Sequence, residues 1–203
     1  MGESVYQDYP WRSTSNHFHA LTAEIFLQRT KVKQVRYVYN KFCKKYKNPH
    51  DVLEGRKKEY EKILSPLGLH WRIPLYRRFC EELVDRHKGK IPVNKKELMS
   101  LSAVGDYVAS AFLSFHLNTP LPLIDTNTIR FVSRYFGINK NQESRRNKKF
   151  KYIMAELLPG RYSSRFNYCL LDFSMNICST RPSCMDCKFR FKCQYYKNNS
   201  NEY

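Results

Sequence analysis

No apolar run in this 203-residue chain approaches the ~18 residues of a membrane-spanning helix. The opening stretch Met1-Gly2-Glu3-Ser4-Val5-Tyr6-Gln7-Asp8 has no charged-then-apolar signal pattern, so an intracellular protein of the cytoplasm or nucleoid is expected. Period-2 apolar alternation is missing too, which leaves an all-α fold. No internal repeat is visible, which excludes a repeat architecture. Acidic residues are few beside basic ones, 18 against 36, for a formal charge of +18. Solubility asks only for a net charge of about 2 to 8 in a small domain. With a membrane span excluded, the excess points to a partner of dense negative charge, nucleic acid first.

The length suits one substantial core or two small lobes. Apolar residues at helical spacing predict helices over 17–30 and 32–46, the second carrying Lys31, Lys33, Lys41, Lys44, Lys45 and Lys47 on its other face. Pro49 suits the first turn of a short helix. A helix with Leu75, Phe79, Leu83 and His87 on one face stops at Gly89, and Asn94 caps the next. Helical patterns follow on both sides of a turn holding Gly105, then from Asp125 to a C-cap at Gly137, and over 152–158 and 162–177. The tail over 197–203 is expected to fray.

Seven cysteines fall into two groups. Cys43, Cys80 and Cys169 stand alone in helical patterns and read as small core residues. Cys178, Cys184, Cys187 and Cys193 crowd together, and in a reducing compartment four such thiols read as metal ligands. A Cys₄ set with one C-x₂-C pair suits zinc or a cluster.

Two further features carry chemistry. The turn Leu101-Ser102-Ala103-Val104-Gly105 puts backbone N–H groups and a helix N-terminus where a phosphate oxygen can be held. Such a grip holds DNA without reading its bases. Asp125 opens the next helix, where an Asp is an ordinary N-cap. A carboxylate there can also stabilise a cationic sugar or orient an attacking water.

Tyr9-Pro10-Trp11-Arg12, then Thr22-Ala23-Glu24-Ile25-Phe26-Leu27-Gln28-Arg29-Thr30, then Leu101 to Tyr107, Asp125-Thr126-Asn127 and the cysteines run in one order along the chain. Together they resemble the helix-hairpin-helix DNA glycosylases of the endonuclease III superfamily, mismatch branch. Arg130-Phe131-Val132-Ser133-Arg134-Tyr135-Phe136-Gly137 and Leu171-Asp172-Phe173-Ser174 look most like the members directed at T or U opposite G. The adenine glycosylases are the related alternative. They usually carry a further C-terminal domain, and this chain ends shortly after its cysteines.

The resemblance implies a six-helix lobe over 18–134 and a second lobe made of 1–17 with 135–203. The loop 178–193 would bind a [4Fe–4S] cluster through Cys178, Cys184, Cys187 and Cys193. Double-stranded DNA containing a mismatch would lie between the lobes, bound by a monomer. Asp125 aligns with the family's catalytic aspartate. Tyr107 stands where lyase members have a Schiff-base lysine, and a phenol forms no imine, so hydrolysis with little or no strand cleavage is expected. Glu24 would contact the flipped base. Gln28, Arg29 and Leu69 resemble wedge elements that fill the gap left by the extruded base, while Ser102, Val104 and Gly105 would hold phosphate.

The turn departs from the family's usual Leu-Pro-Gly-Val-Gly, with Ser102 for the proline and Ala103 for the first glycine. Alanine tolerates positive φ poorly, so a distorted turn or a weaker grip is expected. A non-catalytic iron–sulfur DNA-binding protein is the competing class.

Overall fold

The structure, a computed structural model, describes residues 6–68, 70–141 and 147–199. Among them are eleven α-helices and no strand, so the fold is all-α as expected. The helices gather into two compact units, Asp8–His116 and Met1–Gln7 with Leu117–Tyr203. That division falls earlier in the chain than the expected 134/135 boundary.

The first unit holds α1 (His17–Leu27), α2 (Val32–Lys45), α3 (Pro49–Glu54), α4 (Lys57–Leu64), α5 (Arg72–His87), α6 (Lys95–Met99) and α7 (Asp106–Leu117). Asn16 caps α1 by accepting the His19 amide at 3.1 Å. Every residue from Phe18 to Phe26 is buried. A helix buried on all sides lies at the centre of a core, and α1 lies there among the rings of Phe42, Tyr76 and Phe79. Phe26 meets Phe42 edge-on at 5.4 Å between centroids, and Phe42 meets Tyr76 at 5.6 Å, an arrangement that aromatic quadrupoles favour. α1 stops before the expected Thr30 because Arg29 takes a left-handed φ of 57°. At the end of α5, Lys88 and Gly89 are both left-handed. A side chain at Gly89 would come within 2.8 Å of the His50 ring, which would have to move, and its φ of 75° is one that glycine takes freely. Of the three solitary cysteines, Cys80 is buried as expected, while Cys43 and Cys169 are only half-buried.

The second unit holds α8 (Thr126–Phe136), α9 (Lys148–Glu156), α10 (Ser163–Asn176) and α11 (Gln194–Asn198). The stripe Ile129 and Val132 of α8 packs with Phe150 and Met154 of α9 and Leu170 of α10, which is why α8 belongs here by contact. Gly137 ends α8 in the left-handed conformation predicted for it. α11 was not expected and runs into the start of the predicted frayed tail. No described helix is long and apolar enough to cross a membrane.

Candidate active site and cysteine loop

The hairpin turn keeps the backbone shape that its sequence seemed to forbid. Ala103 adopts φ 64°, the left-handed conformation that glycine takes freely. Glu82 of α5 holds the turn, accepting from the Ser102 amide at 2.6 Å and the Ser102 hydroxyl at 2.9 Å. Arg78 and Arg86 flank the same carboxylate at 3.2 Å each. Ser102 therefore tethers the turn through both its groups, and the Val104 amide closes the turn on Leu101 at 3.2 Å. What stays open is the mouth of α7. The amides of Gly105, Asp106 and Val108 meet no acceptor among the described residues, and a Cβ built at Gly105 would have nothing within 4 Å. The Asp106 carboxylate is taken by Lys95 at 2.8 Å. Tyr107, half-buried, sits in the first turn of α7.

Asp125 has the opposite surroundings. Its Oδ1 accepts the amides of Asn127 and Thr128, both at 2.8 Å, and its Oδ2 accepts the Asn127 side-chain amide at 2.8 Å. Thr128 completes a capping box by accepting the Asp125 amide at 3.0 Å. The bonding then continues into the helix. Asn127 Oδ1 accepts from Arg130 at 3.1 Å, and buried Arg130 donates to the carbonyls of Cys178 at 2.8 Å and Ser174 at 2.6 Å. One turn on, Arg134 donates to the carbonyls of Ser179 at 2.5 Å and Thr180 at 3.1 Å and lies over the Tyr195 ring. A chain of hydrogen bonds thus runs from Asp125 to the start of the cysteine loop. Sequence reading missed this role of Arg130 and Arg134. Their one sequence signal is the i, i+4 spacing behind Asp125.

Cys178, Cys184, Cys187 and Cys193 line one pocket with Phe131, Phe173 and Phe189. Short 3₁₀ turns at Cys184–Asp186 and Arg190–Lys192 separate the last three. Among the described residues no three His, Cys, Asp or Glu side chains are grouped as around a single metal ion. Four cysteine thiols lining one pocket supply the sulfur donors that either a zinc ion or an iron–sulfur cluster takes.

Glu24 is 3% exposed, deeper than the expected helix flank, because α1 is enclosed on all sides. Burial pushes its carboxyl up to about 8, and the nearby Arg12 opposes that rise. At neutral pH it is a protonated acid that can donate a hydrogen bond.

Of the expected wedge residues, Leu69 lies outside the described residues and Arg29 is exposed on its left-handed turn. Gln28 is half-buried, its Nε2 donating to the Ala103 carbonyl at 3.0 Å and its Oε1 accepting from Arg72 at 3.2 Å. The structure therefore brings Gln28 and the hairpin turn together. Arg72 was not foreseen.

The chain belongs to the HhH-GPD superfamily of base excision DNA repair proteins, whose family model matches residues 22–156. A thymine/uracil-DNA glycosylase of Pyrobaculum aerophilum is 35% identical over 186 residues, covering 89% of this chain and 81% of that one. An adenine DNA glycosylase of Buchnera aphidicola subsp. Baizongia pistaciae is 29% identical over 191 residues, 94% of this chain but 54% of its own length. The solved structure of a thermostable thymine-DNA glycosylase superposes with a TM-score of 0.88 at 32% identity, over 95% of this chain and 89% of that one.

Proposed function

We propose that the protein is a monofunctional DNA glycosylase that removes thymine or uracil mispaired with guanine, as the entry step of base excision repair inside the cell. The observation that carries this reading is Asp125, whose carboxylate is fixed by three N–H donors. A positioned carboxylate stabilises the oxocarbenium-like sugar formed as the base departs and orients the water that replaces it. Tyr107 offers no amine, so the abasic sugar is released without a Schiff base and the strand stays intact. Glu24, protonated at neutral pH, donates a hydrogen bond to a carbonyl of the flipped pyrimidine. The open amides at Gly105 and Asp106 take a backbone phosphate, with Arg29 and the excess positive charge adding attraction to the duplex. Binding as a monomer to mismatched double-stranded DNA is part of the proposal. Mispaired bases are also the cheaper ones to extrude.

Cys178, Cys184, Cys187 and Cys193 would hold a [4Fe–4S] cluster, which when bound supplies four iron–thiolate bonds that fix the loop. The residues around it, Arg130 and Arg134 above all, position that loop from α8. Zinc is the alternative occupant, separated from the cluster by visible absorbance and iron analysis.

The named relatives support pyrimidine over adenine, since the thymine/uracil-DNA glycosylase is 35% identical to this chain and the adenine enzyme 29%. Incubation with duplexes holding a single G·T, G·U or A·G pair, each followed by alkali, tests the proposal. The expected result is alkali-dependent breakage of the G·T and G·U duplexes. Breakage of the A·G duplex alone moves the assignment to an adenine glycosylase. No product from any duplex, with DNA binding intact, identifies a non-catalytic DNA-binding protein.

A further inference from the structure

The chain has two tryptophans, and they are placed oppositely. Trp11 is 2% exposed, whereas Trp71, in the turn before α5, is 59% exposed. A large ring left in water is informative where its surroundings are organised, and those of Trp71 are. The Arg72 guanidinium lies 5.6 Å from the Trp71 ring centroid. Arg72 is itself anchored, donating to the main-chain carbonyl and the side-chain oxygen of Gln28. Gln28 in turn donates to the Ala103 carbonyl in the hairpin turn. The exposed ring is thus coupled through two hydrogen-bonded side chains to the turn that presents open amides for a phosphate. Beside it runs a groove lined by Lys58, Lys62, Ser65 and His70, with Glu61 its one acid.

We propose that Trp71 is a base-stacking residue, taking the face of a nucleobase exposed when the duplex is opened while the Lys58–Lys62 groove follows the adjoining phosphates. An indole offers every base a π-face and needs no sequence. The cation beneath it holds the ring and enriches the contact. Two bases could supply that face, the one orphaned opposite the extruded nucleotide and the one flanking it. The inference rests on the glycosylase reading, but its test requires no turnover.

Trp71 dominates any quenchable indole emission because Trp11 is enclosed. Titration of the intact protein with a duplex carrying a non-hydrolysable abasic analogue opposite guanine should quench that emission, while a fully paired duplex should quench it much less. Trp71→Ala should weaken binding to the abasic duplex by about 5- to 100-fold and leave the fully paired duplex within about twofold, with Trp71→Phe recovering most of the loss. 2-Aminopurine placed opposite the analogue or beside it reports, by its own quenching, which base is stacked. Lys58→Ala/Lys62→Ala should lower the steepness of the salt dependence by about two phosphate contacts. Equal affinities of wild type and Trp71→Ala for the abasic duplex, or an equal loss on both duplexes, overturns the proposal. Stacking observed in a protein that excises nothing overturns the glycosylase reading and leaves this one standing.

Discussion

α7 and α8 begin in opposite ways. Both helices expose the positive end of a dipole at their first turn. At α8 that end is already occupied by an anion of the chain's own, Asp125, which accepts the first-turn amides of Asn127 and Thr128 and the Asn127 side chain. At α7 the amides of Gly105, Asp106 and Val108 have no acceptor among the described residues, and the Asp106 carboxylate is paired with Lys95. The difference separates two tasks. A helix mouth that supplies its own anion holds a charge ready for chemistry. A mouth left open waits for an anion from outside, and a DNA phosphate is the one its net charge favours.

Removing the charge at α8 should have the largest effect. Asp125→Asn keeps a competent helix cap, since Asn and Asp serve nearly equally there, so the melting temperature should move little. Excision from a G·T duplex should fall by roughly 10²–10³-fold, the usual cost of deleting one electrostatic stabiliser of a transition state. Binding to the mismatched duplex should persist. A variant that still turns over within a few-fold of wild type would remove Asp125 from the chemistry and make the two helix mouths equivalent in kind.

The far ends of the same helices extend the contrast. α8 closes on Arg134, whose guanidinium donates to the carbonyls of Ser179 and Thr180. α7 closes on His116, whose Nε2 is buried with no hydrogen-bond partner. Burial, with His17 nearby, lowers His116 to about 4. Its folded pKa lies below the unfolded value of about 6.5, so the neutral ring's contribution is fully present above pH ~6.5. It is lost as pH falls toward 4, by up to about 3 kcal/mol. Urea midpoints measured from pH 7 to 4 should show that decline in wild type and a much shallower one in His116→Phe, which retains the ring packing against Phe112. Parallel profiles for the two proteins would mean that His116 is not the group responsible.

How much of this was legible in the sequence depended on distance along the chain. The caps at Asn94, Asp125 and Gly137 were readable because a cap is decided by residues within one turn. The depth of Glu24 was not, since α1 is enclosed by rings from α2 and α5 that sequence periodicity cannot place around it. Arg130 and Arg134 escaped for the same reason, as their acceptors lie 44–48 residues away. Ser102 was read as a phosphate contact, yet Glu82, twenty residues earlier, occupies both its groups. The cysteines were legible from spacing, whereas the shape of the pocket they share comes from Phe131, Phe173 and Phe189.

The smallest effects come from two positions in the hairpin turn, one read in stability and the other in affinity. Ala103 holds φ 64°, where a Cβ costs on the order of 1 kcal/mol. Glycine there removes that strain but gives back part of the gain through the freer unfolded chain. Ala103→Gly should therefore raise stability by about 0.5 kcal/mol, a shift of one or two degrees in melting temperature. Gly105 is the mirror case. Its φ is not left-handed, and an added methyl would meet nothing within 4 Å, so Gly105→Ala should leave stability unchanged or slightly higher. If the empty space beside it belongs to a phosphate, the same methyl should weaken binding to any duplex by about tenfold, the loss expected when one charge-assisted hydrogen bond is displaced. Gly105→Ala with unaltered affinity would show that no ligand approaches there, and the mouth of α7 would then be merely uncapped.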